Sequence, residues 1–144
     1  MSHLRATASV DGGSRGNPGE AGCGFVLEMG EVVEEHFVYL GRTTNNVAEY
    51  AGLLGAMERA LELGVEELVV KADSELLVKQ LAGVYKVKAP HLQPLWAQAK
   101  RHSARFKVCR IRHVMRAHNA HADRLANRAM DTRSSTRPVP EGVR

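Results

Sequence analysis

Residues 4–41 leave no room for a helix. LRATASVD (4–11), CGFVLEMG (23–30) and EVVEEHFVYLG (31–41) alternate or run apolar over strand length. Such spacing of β-branched and aromatic side chains specifies half-buried strands. Between the first two lies GGSRGNPGEAG (12–22), which is turn chemistry throughout. Gly30 separates the second from the third. Three strands in succession predict an antiparallel meander, and everything after it must pack on that sheet.

The remainder alternates helix with strand. TTNNVAEYAGLLGAMERAL (43–61) is helical and closes at Gly64. VEELVVKAD (65–73) is a short apolar run, read as a buried strand ending at Asp73. SELLVKQLAG (74–83) is a helix capped by Ser74 and stopped by Gly83. A third helix is expected to start near Pro90 or His91, RFKVCRIRHV (105–114) alternates as a last strand, and HNAHADRLANRAMD (118–131) is a final helix. The chain is thus an α/β domain with a mixed sheet over residues 1–131. Residues 132–144, TRSSTRPVPEGVR, have no periodicity and two prolines, which predicts a disordered tail.

One residue in the 43–61 helix is out of place. At about 100° per residue, Leu53, Leu54, Ala56, Met57, Ala60 and Leu61 share one face, with Glu58, Arg59 and Glu62 opposite. Glu49 falls inside the apolar stripe. An isolated buried carboxylate is costly, so it needs either a cap or a cation. The cap reading takes Asn46 as N-cap and Glu49 as the acid of a loose capping box in the opening turn. The cation reading requires other acids nearby.

Those acids are present. Asp11 ends the first strand and Asp73 the fourth, so parallel pairing brings both to the sheet edge where open α/β sheets place their sites. Glu49 lies on the helix feeding the fourth strand, and Asp123 opens the last helix. Unpaired, such a cluster repels itself and raises its own pKa values. An all-oxygen set without thiolates suits Mg²⁺ or Mn²⁺, and two such ions can activate a water and stabilise the leaving oxygen of a phosphodiester.

Charge points to an anionic partner. Residues 1–99 carry 8 Lys/Arg against 13 Asp/Glu, and residues 100–144 carry 12 against 3. A basic final third favours nucleic acid. Arg110 and Arg112 alternate on the last strand and share a face. No apolar run approaches the ~20 residues of a membrane span, and MSHLRATASV lacks the apolar region of a secretory signal. Cys23 and Cys109 lie in strand-like surroundings without metal-type spacing, which predicts two reduced, buried thiols in a cytoplasmic protein.

Four blocks, VDGGSRGNPGEAGCGFVL, TTNNVAEYAGLLGAM, VKADSELLVKQL and HNAHADRLAN, resemble in content and order the signature blocks of type I ribonuclease H. They extend over nearly all of the folded domain. The resemblance implies a ribonuclease H-like fold, a five-stranded mixed sheet with helices on both faces. It implies hydrolysis of the RNA strand of an RNA–DNA hybrid with two Mg²⁺ ions, or Mn²⁺, held by Asp11, Glu49, Asp73 and Asp123. It further implies that Asn17, Asn45 and Asn46 meet the two strands in the minor groove, and that Arg42 and Thr44 hold a DNA-strand phosphate.

Two departures from the family pattern stand out. GVYKVKAPHLQPLW contains only Lys86 and Lys88 where many relatives carry a Lys-rich handle helix. The chain resembles the branch lacking that handle, so hybrid affinity is expected from the basic C-terminal third, from Arg110, Arg112 and Arg116, the last beside Asp123. The loop before the last helix is short. Of His113, His118 and His121, His118 is best placed to take the part of the family's mobile histidine, and Asn119 resembles the asparagine that orients the loop. Two other readings compete with the nuclease: a non-catalytic hybrid-binding module, and a zinc site built from His118, His121 and Asp123. No membrane and no obligate protein partner is expected.

Overall fold

A computed structural model describes residues 4–143. The strands are β1 (Arg5–Gly16), β2 (Gly19–Met29), β3 (Val32–Thr43), β4 (Glu67–Ala72) and β5 (Val108–His113). The helices are α1 (Asn45–Glu62), α2 (Glu75–Leu81), α3 (Gln93–Ser103) and α4 (Ala120–Thr132), with a single 3₁₀ turn at Arg116–His118. The sheet order is β3-β2-β1-β4-β5. β1, β2 and β3 pair antiparallel as the expected meander, whereas β4 pairs parallel with both β1 and β5. This is the five-stranded mixed sheet that the family resemblance implies.

Period-two alternation sorts β1 onto two faces. Ala6, Ala8 and Val10 are buried against α1 together with Phe25, Leu27, Leu68 and Val70. Thr7, Ser9 and Asp11 therefore face the other side. The principal core lies between the sheet and α1, α2 and α3, and contains Leu53, Leu54 and Met57 at 0 % exposure. On the opposite face α4 packs against β1, β2 and β3, where Leu125 and Ala129 meet Val26 and Phe37.

The segment expected to be turn throughout is mostly strand. β1 continues through Gly12–Gly16 and β2 starts at Gly19, leaving only Asn17 and Pro18, joined by a cis peptide, as the turn. The glycines serve close approach. A Cβ on Gly12 would lie 2.0 Å from the Ala48 carbonyl oxygen in α1, and one on Gly24 would lie 2.5 Å from Leu125 Cβ in α4. Helices on both faces press onto the bare backbone, and side chains there would hold them off.

Three boundaries also move. α1 is capped by Thr44, whose hydroxyl accepts from Val47 N at 3.2 Å, and not by Asn46. With the helix starting at Asn45, Glu49 falls in the second turn, beyond the reach of a capping box. α3 begins at Gln93 because residues 89–92 close a turn of their own, with Leu92 N donating to Ala89 O at 3.0 Å, and Pro94 takes the helix-opening position. The α1 stop at Gly64 and the Ser74 cap and Gly83 stop of α2 follow the sequence expectation.

Residues 133–143, for which the lack of periodicity predicts disorder, run back over the β3 edge and α1. Ser135 Oγ accepts from Tyr39 N at 2.8 Å and Thr136 N donates to Phe37 O at 2.8 Å. Arg137 forms a two-pronged ion pair with Glu62 at 2.9 and 2.6 Å. Val139 and Val143 pack beside Val38 and Ala51. Periodicity could not signal this, because the segment uses hydroxyls and one guanidinium to satisfy an edge strand rather than a repeating apolar face. Cys23 and Cys109 are free thiols, the first buried and the second half-buried. Among the described residues no helix is long and apolar enough to cross a membrane.

Candidate active site

The last residue pair of the parallel β1–β4 ladder is Val10 with Ala72. Asp11 and Asp73 are the next residues on each strand, so the end of the ladder sets two carboxylates side by side. Asp11 lies in mid-strand and not at the strand end expected, because β1 carries on into its hairpin with β2. Asp123 enters from the first turn of α4, and Glu49 from α1. Asp11, Glu49, Asp73 and Ser74 line one small cavity of about 10 Å³, on the order of the space one water occupies by such a measure.

The electrostatics of the cluster are strained. Burial, then the Asp73 charge, then a hydrogen bond and charge from Asp123 push the Asp11 carboxyl from 3.8 up to about 8. The Gly12 N–H, donating to Asp11 Oδ1 at 2.9 Å, opposes this. Asp11 thus holds a proton near neutrality, in a hydrogen bond with Asp123. Burial also raises Glu49. The Ser74 hydroxyl and Asn45 pull it back down and the Asp73 charge adds to the rise. Asn45 Nδ2 donates to Glu49 Oε1 at 2.6 Å. This answers the question Glu49 posed on the apolar stripe: it is held by polar donors and faces other acids.

The donor set fits a hard divalent cation. It is all oxygen, crowded, and costly to ionise without a compensating charge. Among the described residues no three acidic, His or Cys side chains are arranged to close on a single ion.

Asparagines fix the cluster. Asn119 is 2 % exposed, and its Nδ2 donates to Val10 O at 2.8 Å and to Asp73 Oδ2 at 3.0 Å. It ties the α4 entry to the end of both central strands. Asn45 is a second junction. Its N–H donates to Asn17 Oδ1 at 3.1 Å, its Oδ1 accepts from Ser14 N at 3.3 Å, and its Nδ2 reaches Glu49. The hairpin turn, α1 and the carboxylates are therefore one connected unit. The sequence marks Asn45 as a substrate contact and does not reveal this positioning role, since Ser14 and Asn17 meet it only through the fold. The donation of Ser74 to Glu49 is likewise hidden behind its cap function, which it also performs, accepting from Leu77 N at 3.2 Å.

The other expected residues fall around this unit. Arg42 is exposed near the end of β3, one pair from Gly19 and Thr43 beside the Asn17 turn. Thr44 and the half-buried Asn46 sit at the α1 entry. Arg116 and His118 are exposed on the 3₁₀ turn between β5 and α4. The zinc trio is not assembled. His121 bonds Glu35 on β3, drawn away by a carboxylate on the neighbouring strand, while His118 stays in the loop.

Comparison with known proteins agrees with this geometry. A family described as reverse transcriptase-like matches residues 9–129. The solved N-terminal RNase H domain of a Mycobacterium tuberculosis protein superposes with a TM-score of 0.86 at 45% identity, covering 90% of this chain and 95% of that one. The full mycobacterial protein carries the description bifunctional, and the chain spans about a third of its length, 36%. Ribonuclease HI of Halobacterium salinarum is 42% identical over 129 residues, 88% of this chain and 65% of the relative. LC11-RNase H1, solved in complex with an RNA/DNA hybrid, superposes with a TM-score of 0.83 at 40% identity, covering 89% and 98%.

Proposed function

The chain belongs to the ribonuclease H family, and from that premise we propose that it is a divalent-metal-dependent endonuclease cutting the RNA strand of RNA–DNA hybrids. The observation that carries this reading is the meeting of Asp11, Glu49, Asp73 and Asp123 at the end of the β1–β4 ladder, with Asp11 pushed up to about 8 by burial and its acidic neighbours. The hybrid bound to LC11-RNase H1, 40% identical, supports the substrate class.

Asp11, Glu49, Asp73 and Asp123 would hold two Mg²⁺ or Mn²⁺ ions, which supply water activation and charge stabilisation at the leaving oxygen. The protein's own part is to present ionised carboxylates in fixed orientations. Asn119 holds Asp73, Gly12 N–H holds Asp11, and Asn45 with Ser74 holds Glu49. With its carboxyl pushed up to about 8 in the free cluster, Asp11 would give up its proton to hold a cation. Turnover at limiting cation would therefore rise with pH through the neutral range.

Substrate discrimination falls to the polar surface beside the cluster. Asn17, Asn45 and Asn46 are short donors and acceptors suited to 2′-hydroxyls in a wide, shallow minor groove. Thr44 accepts from Val47 N yet keeps its hydroxyl hydrogen, so with Arg42 it can donate to a phosphate. Arg116 adds a phosphate contact at the α4 entry, and the exposed His118 is placed to assist departure of product. Two free thiols accord with a reducing, cytoplasmic setting.

A gel assay with 5′-labelled RNA in a hybrid, with Mg²⁺ or Mn²⁺ and with chelator, tests the proposal. Cation-dependent cuts in the RNA strand alone are expected. Tight binding without cleavage under either cation would establish the non-catalytic hybrid-binding module in its place.

A further inference from the structure

α4 covers only part of its face of the sheet. It packs on β1, β2 and β3, and the same face of β4, β5 and the early part of β1 carries no helix. Register orders the residues there into rows. Thr7 pairs with Val69 and Val69 with Arg110, while Ser9 pairs with Lys71 and Lys71 with Arg112. Cys109 and Ile111 pack toward the core on the other face, so Arg110 and Arg112 share the open side. Both arginines and Lys71 are exposed, and among the described residues none of the three pairs with a carboxylate. Arg5 below them is paired with Glu67 at 2.9 Å. A depression of about 480 Å³ lies here, lined by Arg5, Thr7, Glu28, Val69, Arg110 and Arg112.

The rows lead to the carboxylates. Two residues beyond Ser9 is Asp11, and two beyond Lys71 is Asp73. Alternation keeps all four on one face at about 6.6 Å per step. That step is close to the distance between successive phosphates of an extended nucleic-acid strand. The bare strip is about three strands or 10 Å wide, with α4, itself about 10 Å thick, standing as a wall beside it. A rigid duplex resting on the carboxylate edge cannot follow the sheet down behind that wall, whereas a single strand can. No aromatic side chain occurs in these rows to stack bases, so the contact is to the backbone and blind to sequence.

We propose that this open face of β4 and β5 is a second nucleic-acid surface, on which Lys71, Arg110 and Arg112 hold the phosphates of a single-stranded segment flanking the hybrid. The proposal rests on the hybrid-nuclease reading for what occupies the carboxylate edge. It extends that reading to the junction between hybrid and single strand.

The test is fluorescence anisotropy on the full chain, with Ca²⁺ in place of Mg²⁺ to suppress cleavage. The probes are a blunt hybrid, the same hybrid with a single-stranded RNA or DNA extension at either end, and the single strand alone. One extension is expected to tighten binding, with a salt slope steeper by about two, so that the gain falls roughly fifteenfold between about 50 and 200 mM salt. The Arg110→Ala/Arg112→Ala variant should lose that gain, its affinity falling much further on the extended hybrid than on the blunt one. The Arg110→Lys/Arg112→Lys variant should restore it, since a point charge suffices for phosphate. RNA and DNA extensions should gain alike, because only phosphates are held.

No gain from any extension, an undiminished gain in the alanine variant, or an equal loss on the blunt hybrid would each overturn the proposal. If the blunt hybrid is neither bound nor cut, the nuclease reading fails by itself. Salt-dependent binding of the single strand alone, lost in the alanine variant, then still reports on this face.

Discussion

Replacing Asp73 with Asn should stabilise the metal-free protein while abolishing cleavage, and the size of the gain follows from Asp11. The Asp11 carboxyl stands about four pKa units above its ordinary 3.8, at about 8. Burial is the largest cause and the Asp73 charge comes second. Asp73 therefore supplies the smaller part of that rise, and removing its charge is worth on the order of 1 kcal/mol. Asn keeps the shape and can still accept from Asn119 Nδ2, now 3.0 Å from Asp73 Oδ2. The sign follows from proton binding. Between pH 3.8 and about 8 the folded state holds a proton on Asp11 that the unfolded chain has released, so stability falls as pH rises through that window. Asp73→Asn lessens that fall. The expected result in chelator is a melting temperature roughly 3 °C above wild type at pH 8, shrinking toward zero near pH 4, where Asp11 is neutral in both proteins and no charge repulsion is left to relieve. Differential scanning calorimetry across that range measures it, with a labelled-hybrid assay in Mg²⁺ alongside. An equal shift at pH 4 and pH 8, or destabilisation at pH 8, would refute the repulsion argument. Retained turnover would remove Asp73 from the ligand set.

The remaining expectations address substrate, affinity and fold. Hybrid RNA should be cut and duplex DNA left intact, with single-stranded RNA a poor substrate because it lacks the groove shape; equal rates on hybrid and single-stranded RNA would point to another nuclease class. Arg116→Ala should weaken blunt-hybrid binding and flatten its salt slope by about one phosphate contact, measured by titration in Ca²⁺. Truncation after Thr132 removes the Arg137–Glu62 pair, the Thr136–Phe37 backbone bond and the packing of Val139 and Val143; it should cost about 3 kcal/mol in urea unfolding and leave hybrid affinity nearly unchanged. Gly12→Ala sets a methyl against the Ala48 carbonyl oxygen, 2.0 Å away before relaxation, and should cost about 3 kcal/mol in the same assay.

What could be read before the fold was known divides along physical lines. Alternation in β1 and β5, the apolar run of β2 and the stripe of α1 are local consequences of which faces are buried, and local pattern reveals them. The 12–22 segment misleads because glycine has two meanings. It supplies turns, and it supplies bare backbone where another element presses close. At Gly12 and Gly24 the second holds, and the helices that require it lie far along the chain. The tail misleads for a related reason. Ser135, Thr136 and Arg137 satisfy Tyr39, Phe37 and Glu62 one group at a time, which leaves no period to detect.

The site divides in the same way. The four acids could be named because Asp73 and Asp123 stand at element ends, Asp11 where the alternation of the first strand gives way to glycine, and Glu49 on the wrong helical face, and a carboxylate in such a place needs a reason. The groups that aim them could not be given that role, since Asn, Ser and glycine N–H are ordinary at turns and caps. Asn45 shows why the distinction matters for mechanism. Its three hydrogen bonds join Asn17 in the hairpin turn, Ser14 in β1 and Glu49 in α1. A side chain expected to touch the hybrid thus also holds a carboxylate of the cluster. Groove contact at Asn17 or Asn45 and the orientation of Glu49 are then mechanically linked. On the proposed reading, a duplex of the wrong groove width would disturb the four acids as well as lose contacts. Selectivity for the hybrid would then enter the chemical step and not only the binding step.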